Sequence, residues 1–103
     1  MDRIEQLKAF LEQTPGEPFV QHALALEYIK LDNDAEAESC FRKNLSADPG
    51  YIATYYHLGK LLERTGRTEA AISMYELGMA AAKKAGDGHT YNELQGAYED
   101  LAY

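Results

Sequence analysis

Apolar residues along the chain recur every three or four positions, which is the spacing of one face of an α-helix. No stretch shows the strict alternation of apolar and polar residues that is typical of a half-buried strand. Three prolines, at positions 15, 18 and 49, separate blocks of this helical pattern. Because a proline inside a helix costs about 3 kcal/mol, prolines tend to mark helix ends. The pattern therefore predicts an all-α chain.

The helical blocks repeat with a period of 34 residues, the distance between Pro15 and Pro49. When residues 18–51 are aligned with 52–85, small and large residues recur in phase. The aligned pairs are Leu24 with Leu58, Ala37 with Ala71, and Phe41 with Tyr75. Two copies of one structural unit are therefore predicted.

Each repeat has two apolar blocks with a polar break between them, which predicts a hairpin of two helices. In the first repeat the stripes are Val20, Leu24, Tyr28 and Leu31, followed by Ala37, Cys40, Phe41 and Leu45. We expect Asp34 and Thr68 to cap the second helix of their repeats, and Gly66 to allow positive φ at the turn.

A further helix is predicted on each side of the repeats. The apolar positions of the N-terminal helix are Ile4, Leu7, Phe10 and Leu11, and those of the C-terminal helix are Tyr91, Leu94, Ala97, Tyr98 and Leu101. The first resembles the second helix of a repeat whose first helix is absent. We predict one domain over 1–103, with a half-repeat at 1–14, repeats at 18–51 and 52–85, and a capping helix at 89–102. About six helices would stack as antiparallel neighbours, since a single hairpin cannot bury its apolar face alone.

Composition narrows the possible partners. The chain has 103 residues, a net charge of −7 and a pI near 4.8, so its overall charge has the wrong sign for nucleic acid. Cys40 is the single cysteine, which excludes an intramolecular disulfide and fits a cytoplasmic protein. No apolar stretch approaches the ~18 residues of a membrane span, and the charged N-terminal segment shows no export signal, so no membrane partner is expected.

The sequence resembles the tetratricopeptide repeat (TPR) family, whose signature is W-x2-L-G-x2-Y, then A-x3-F, then P over 34 residues. The matching residues are Leu24, Ala25, Tyr28, Ala37, Phe41 and Pro49 in the first repeat, and Tyr55, Leu58, Gly59, Leu62, Ala71 and Tyr75 in the second. The resemblance implies a right-handed superhelical array of antiparallel helix hairpins. The sequence departs from the signature at Gln21, Asn44, Gly78 and Lys83. With Lys83 where proline is usual, the helix that begins near Thr68 is predicted to continue through Lys84.

No residue cluster predicts catalysis, a metal site or a cofactor. His22, His57 and His89 are far apart and lack the spacing of a zinc-binding helix. Cys40 lies in an apolar stripe with no nearby histidine, which favours an inert thiol. Residues 32–38 resemble the start of a calcium loop but lack its central glycine and closing glutamate. The chain is therefore expected not to be an enzyme.

The resemblance implies a concave groove lined by the first helix of each hairpin, in which a peptide or helix of a partner protein lies. The positions that match the groove are Phe19, His22, Leu26 and Lys30 in the first repeat, and Ala53, Tyr56, Lys60 and Arg64 in the second. Their cations and rings suit a peptide that carries carboxylates. The alternative interpretation of these positions is ordinary solvated helix faces.

Two more specific possibilities concern the ligand and the oligomeric state. One TPR subgroup grips a C-terminal carboxylate with Lys and Asn on the first groove helix; His22 and Leu26 stand at those positions, so this ligand is not expected. The alternative to partner binding is self-association as a homodimer through the C-terminal helix. Its apolar stripe is large for a surface that ends an array.

Overall fold

The computed structural model describes residues 2–103, and within that range it contains helices and no strands. The helices are α1 (Arg3–Gln13), α2 (Pro18–Lys30), α3 (Asp34–Ala47), α4 (Ala53–Arg64), α5 (Thr68–Ala85) and α6 (Gly88–Ala102). The all-α prediction is confirmed. The predicted continuation of α5 through Lys84 is confirmed too, since no proline stops the helix at position 83 and the helix ends at Ala85. None of these helices has the length and apolar content needed to cross a membrane.

The chain divides into two compact units, one ending at Asp48 and one running from Pro49 to Tyr103. In the first unit, α2 packs against both α1 and α3. Its core holds Leu7, Val20, Leu24, Ala25, Tyr28, Ala37, Cys40 and Phe41. Gln21, which stands where the signature has an aromatic residue, donates a side-chain hydrogen bond to the backbone carbonyl of Cys40 at 3.4 Å. A hydrogen bond between α2 and α3 thus takes the place of an aromatic contact.

In the second unit, α5 packs against both α4 and α6. Two glycines allow this close approach. A Cβ on Gly59 would lie 2.8 Å from Cδ1 and 2.9 Å from Cζ of the Tyr75 ring. A Cβ on Gly78 would lie 2.6 Å from the Cβ of Tyr55 and 3.1 Å from the Leu94 methyl groups. Gly78 therefore stands where alanine is usual because three helices meet at its backbone.

The turn after the first helix of each repeat has the same geometry. Gly66 has φ of +81°, as predicted, and Asp32 adopts φ of +56° at the equivalent position of the first repeat. The following residues, Asn33 and Arg67, donate their backbone N–H groups to the carbonyls of Tyr28 and Leu62. These bonds form a Schellman motif that closes the preceding helix.

The predicted N-caps at Asp34 and Thr68 are wrong, because these residues are the first helical residues of α3 and α5. The Schellman motif places the residue after the left-handed position, Asn33 or Arg67, at the N-cap. Neither makes a side-chain capping bond. In the turn before α6 the same position holds Asp87, whose carboxylate does accept from the backbone N–H of Thr90 at 3.1 Å.

Candidate functional site

The predicted site residues of the first unit lie on α2 and differ widely in exposure. Phe19 is 66% exposed and Leu26 is half-buried. Lys30 is exposed and forms an ion pair with Glu27 at 2.9 Å. His22, expected at the surface, is only 8% exposed, and its ring centroid lies 5.6 Å from that of Phe41. The expected surface position of His22 is therefore corrected: α2 is packed on two sides, and the imidazole is covered by this contact.

The predicted site residues of the second unit lie on α4 around the ring of Tyr56. Ala53, Lys60 and Arg64 are exposed, and Tyr56 is half-buried. The Lys60 ammonium lies 5.6 Å from the centroid of the Tyr56 ring, within range of a cation–π interaction. The rings of Tyr56 and His57 form a T-shaped pair, with 5.7 Å between their centroids. This face of α4 therefore presents an aromatic surface with a cation beside it.

Glu63 connects this face to the core of the second unit. Its carboxylate accepts a hydrogen bond from the Tyr75 hydroxyl at 2.7 Å and lies 3.8 Å from the Lys60 ammonium. Burial, together with this hydrogen bond and the negative charge, raises the pKa of Tyr75 above its usual value. Glu63 was not predicted from the sequence. The sequence signal that could have indicated it is the predicted core tyrosine itself, because a buried tyrosine usually has a hydrogen-bond partner for its hydroxyl.

A cavity of about 310 Å³ lies between α4 and α6, next to the Tyr56 ring. Its lining residues are Ala53, Tyr56, His57, Thr90 and Glu93. Burial lowers the pKa of His57, which keeps the imidazole neutral at pH 7. Three lining residues, His57, Thr90 and Glu93, were not among the predicted site residues. Thr90 and Glu93 were missed because the prediction used the two repeats alone and treated the last helix as a cap. His57 lies in the second repeat, but outside the positions that match the groove.

The apolar stripe of α6 is used largely within its own unit. Leu94 and Ala97 are buried, and Tyr91, Tyr98 and Leu101 are half-buried. The Tyr98 ring also meets the ring of Tyr103, at 6.2 Å between centroids. The stripe thus has an intramolecular partner in α5, and self-association through it stays an untested prediction.

Among residues 2–103, no group of three or more His, Cys, Asp or Glu side chains is arranged to hold a metal ion. Cys40 is buried in the first unit, and burial raises the pKa of its thiol. A raised pKa lowers the thiolate fraction and with it the reactivity of the sulfur.

The fold and these surfaces define a helical-repeat protein built from hairpins. A model of the tetratricopeptide repeat matches residues 20–51 and 52–84, and the chain therefore belongs to the tetratricopeptide repeat family. A comparison with curated proteins gave no match.

The chain is similar to several solved structures of other proteins. A tetratricopeptide repeat domain protein from Salinibacter ruber is 42% identical, with a TM-score of 0.80, over 84% of this chain and 96% of that one. A protein from Bordetella parapertussis is 30% identical, with a TM-score of 0.83, over 99% and 89%. The TPR2B domain of yeast Sti1, solved as a complex with pHsp70, is 14% identical, with a TM-score of 0.88, over 96% and 79%. At that identity the yeast domain supports the fold alone.

Proposed function

We propose that the chain is a non-enzymatic module that binds a peptide or helix of a partner protein on the exposed faces of α2 and α4. The observation that carries this proposal is the set of large side chains left outside the core on these faces, above all Phe19 and Tyr56. A phenylalanine on a surface gains about 1.5–3 kcal/mol when it becomes buried. The yeast domain of the same fold, solved as a complex with pHsp70, is consistent with a role in protein binding.

The cations on these faces already have carboxylate neighbours within the chain. Lys30 is paired with Glu27, and Lys60 lies near Glu63. The positive charge of each ammonium group is thus largely offset by its neighbour. Apolar and aromatic contacts therefore contribute most of the binding free energy. With two full hairpins the buried area is limited, about 1,200 Å² or less in total, and we expect micromolar affinity.

The proposal is tested by selecting peptides from a random display library on the full chain and measuring their affinity by fluorescence anisotropy. The test variant combines Tyr56→Ala with Lys60→Glu, which removes the ring and reverses the charge on α4. We expect it to weaken the selected peptides about tenfold or more, as truncation of an aromatic anchor does.

A matched control variant combines Leu77→Ala with Lys84→Glu on α5, where both side chains are exposed. It makes the same change in charge and also truncates one apolar side chain, so its affinity should stay within about twofold of the wild type. The melting curves of both variants check folding, and Phe19→Ala, which truncates the exposed ring on α2, serves if the double variant unfolds. Equal affinity of the wild type and the folded test variant that lacks a ring would refute the proposal, as would a library that yields no binding peptide.

A further inference from the structure

We propose that the cavity between α4 and α6 binds a cationic side chain, lysine or arginine, of the partner segment. This inference rests on the proposed function and adds the chemistry of the partner. At about 310 Å³ the cavity is at the small end of the ~300–1,000 Å³ range of ligand sites. It therefore has room for one long side chain and not for a whole helix.

Two of the polar side chains that line the cavity, those of Glu93 and Thr90, can accept hydrogen bonds from a ligand. Glu93 contributes a carboxylate, whose neighbour His89, at 3.4 Å, pairs with it as an ion only when protonated. The Thr90 hydroxyl donates to a carboxylate oxygen of Asp87 at 2.7 Å, which leaves the lone pairs of the Thr90 oxygen for a ligand. Ammonium and guanidinium groups are donors only, so they match this lining.

The ring of Tyr56 supplies an aromatic wall that already has an ammonium group beside it. The Lys60 nitrogen lies 5.6 Å from the ring centroid, within range of a cation–π interaction, so the ring already takes part in one contact of this kind. The charge of Lys60 is offset by Glu63, 3.8 Å away, so it repels an incoming cation only weakly. A partner side chain would use the part of the ring that lines the cavity.

The charge around the cavity also favours a cation over a carboxylate. The lining residues include no lysine or arginine, and the half-buried His57 stays neutral at pH 7. Glu93 is thus the charged group of the lining. The net charge of −7 on the whole chain further attracts basic segments and raises their rate of encounter.

The test is an NMR titration of the full ¹⁵N-labelled chain with three pools of heptapeptides. The central residue is arginine, its neutral isostere citrulline, or glutamate, and the flanking positions are randomised among neutral residues. We expect the arginine pool to shift the amides of Tyr56 and Thr90 at about tenfold lower concentration than the citrulline pool, from one exposed ion pair and one cation–π contact. The glutamate pool should bind more weakly than either.

Two matched variants separate a local effect from a general one. Glu93→Gln should bring the arginine and citrulline pools to within about twofold. Glu99→Gln removes the same charge from the same helix outside the cavity lining, and should keep the tenfold preference. Equal effects of the two substitutions would overturn the inference. It would also be overturned if the wild-type chain bound the arginine and citrulline pools equally on α2 and α4. In either case the proposed function would still stand. No shift with any pool would overturn both.

Discussion

Among the packing contacts of the second unit, the contact between Gly59 and Tyr75 can be tested most directly. We choose Gly59→Ala as the perturbation because it adds a single methyl group. The added Cβ would overlap the Tyr75 ring, with two ring atoms at 2.8 and 2.9 Å. The ring cannot move away freely, because it is completely buried and its hydroxyl is bonded to Glu63.

The expected change in the free energy of unfolding follows from opposing contributions. Replacing a helical glycine by alanine stabilises a helix by about 1 kcal/mol. Overpacking a close-fitted core costs about 1–3 kcal/mol, and loss of a hydrogen bond to an ionised carboxylate costs about 1.5 kcal/mol or more. The net prediction is a destabilisation of about 2 kcal/mol. With a urea m-value of about 1.5 kcal/mol/M, the unfolding midpoint should fall by about 1.3 M.

The assay is urea unfolding followed by circular dichroism at 222 nm. The control is Gly96→Ala on α6, where an added Cβ meets nothing within 4 Å and the same propensity gain should raise the midpoint. In a Tyr75→Leu background, the penalty of Gly59→Ala should largely disappear, since the ring atoms that it meets are gone. If Gly59→Ala is as stable as the wild type while Gly96→Ala gains stability, the close approach of α4 and α5 is not as described.

Three further predictions concern the turns and the buried phenol. Asp32→Gly should stabilise the chain by about 1 kcal/mol in thermal unfolding, because glycine adopts φ of +56° without the penalty of a side chain; an unchanged melting temperature would contradict this. The raised pKa of Tyr75 implies stability that is fully present below pH 10, the usual tyrosine pKa, and is lost as the pH rises further. Tyr75→Phe should therefore flatten the alkaline part of the stability curve, and an unaltered curve would count against the buried phenol. Asp87→Ala should lower the melting temperature because a capping bond is lost, whereas Asn33→Ala, at a cap without such a bond, should leave it unchanged; equal effects would show that capping is not the cause.

The helices could be predicted from the sequence because their information is local. The spacing of apolar residues and the positions of the prolines mark the helices, and the absence of proline at Lys83 correctly predicts the longer α5. The N-cap residues were predicted wrongly because the Schellman motif is an arrangement of the backbone. It shifts the cap by one residue, to Asn33 and Arg67, whatever side chain follows.

The site was harder to predict because its residues meet only after folding. A polar residue such as His22 looks like a surface position, but its contact with Phe41 depends on how α2 and α3 pack. The cavity joins residues near the start of α4 to Thr90 and Glu93 on α6. Thr90 lies 34 residues after Tyr56, but the repeat pattern was not extended to α6, so this pairing was not predicted. The Tyr75–Glu63 hydrogen bond likewise requires a tertiary contact between α4 and α5.

The central claim, that the exposed faces of α2 and α4 bind a partner segment, is tested most directly by mapping a bound peptide. A library-selected peptide is added to the ¹⁵N-labelled chain, and amide shift changes are recorded along residues 2–103. The account predicts that the changes concentrate around Phe19 on α2 and Tyr56 on α4, with the outward residues of α5 unaffected. Changes confined to α5, around Leu77, would contradict it.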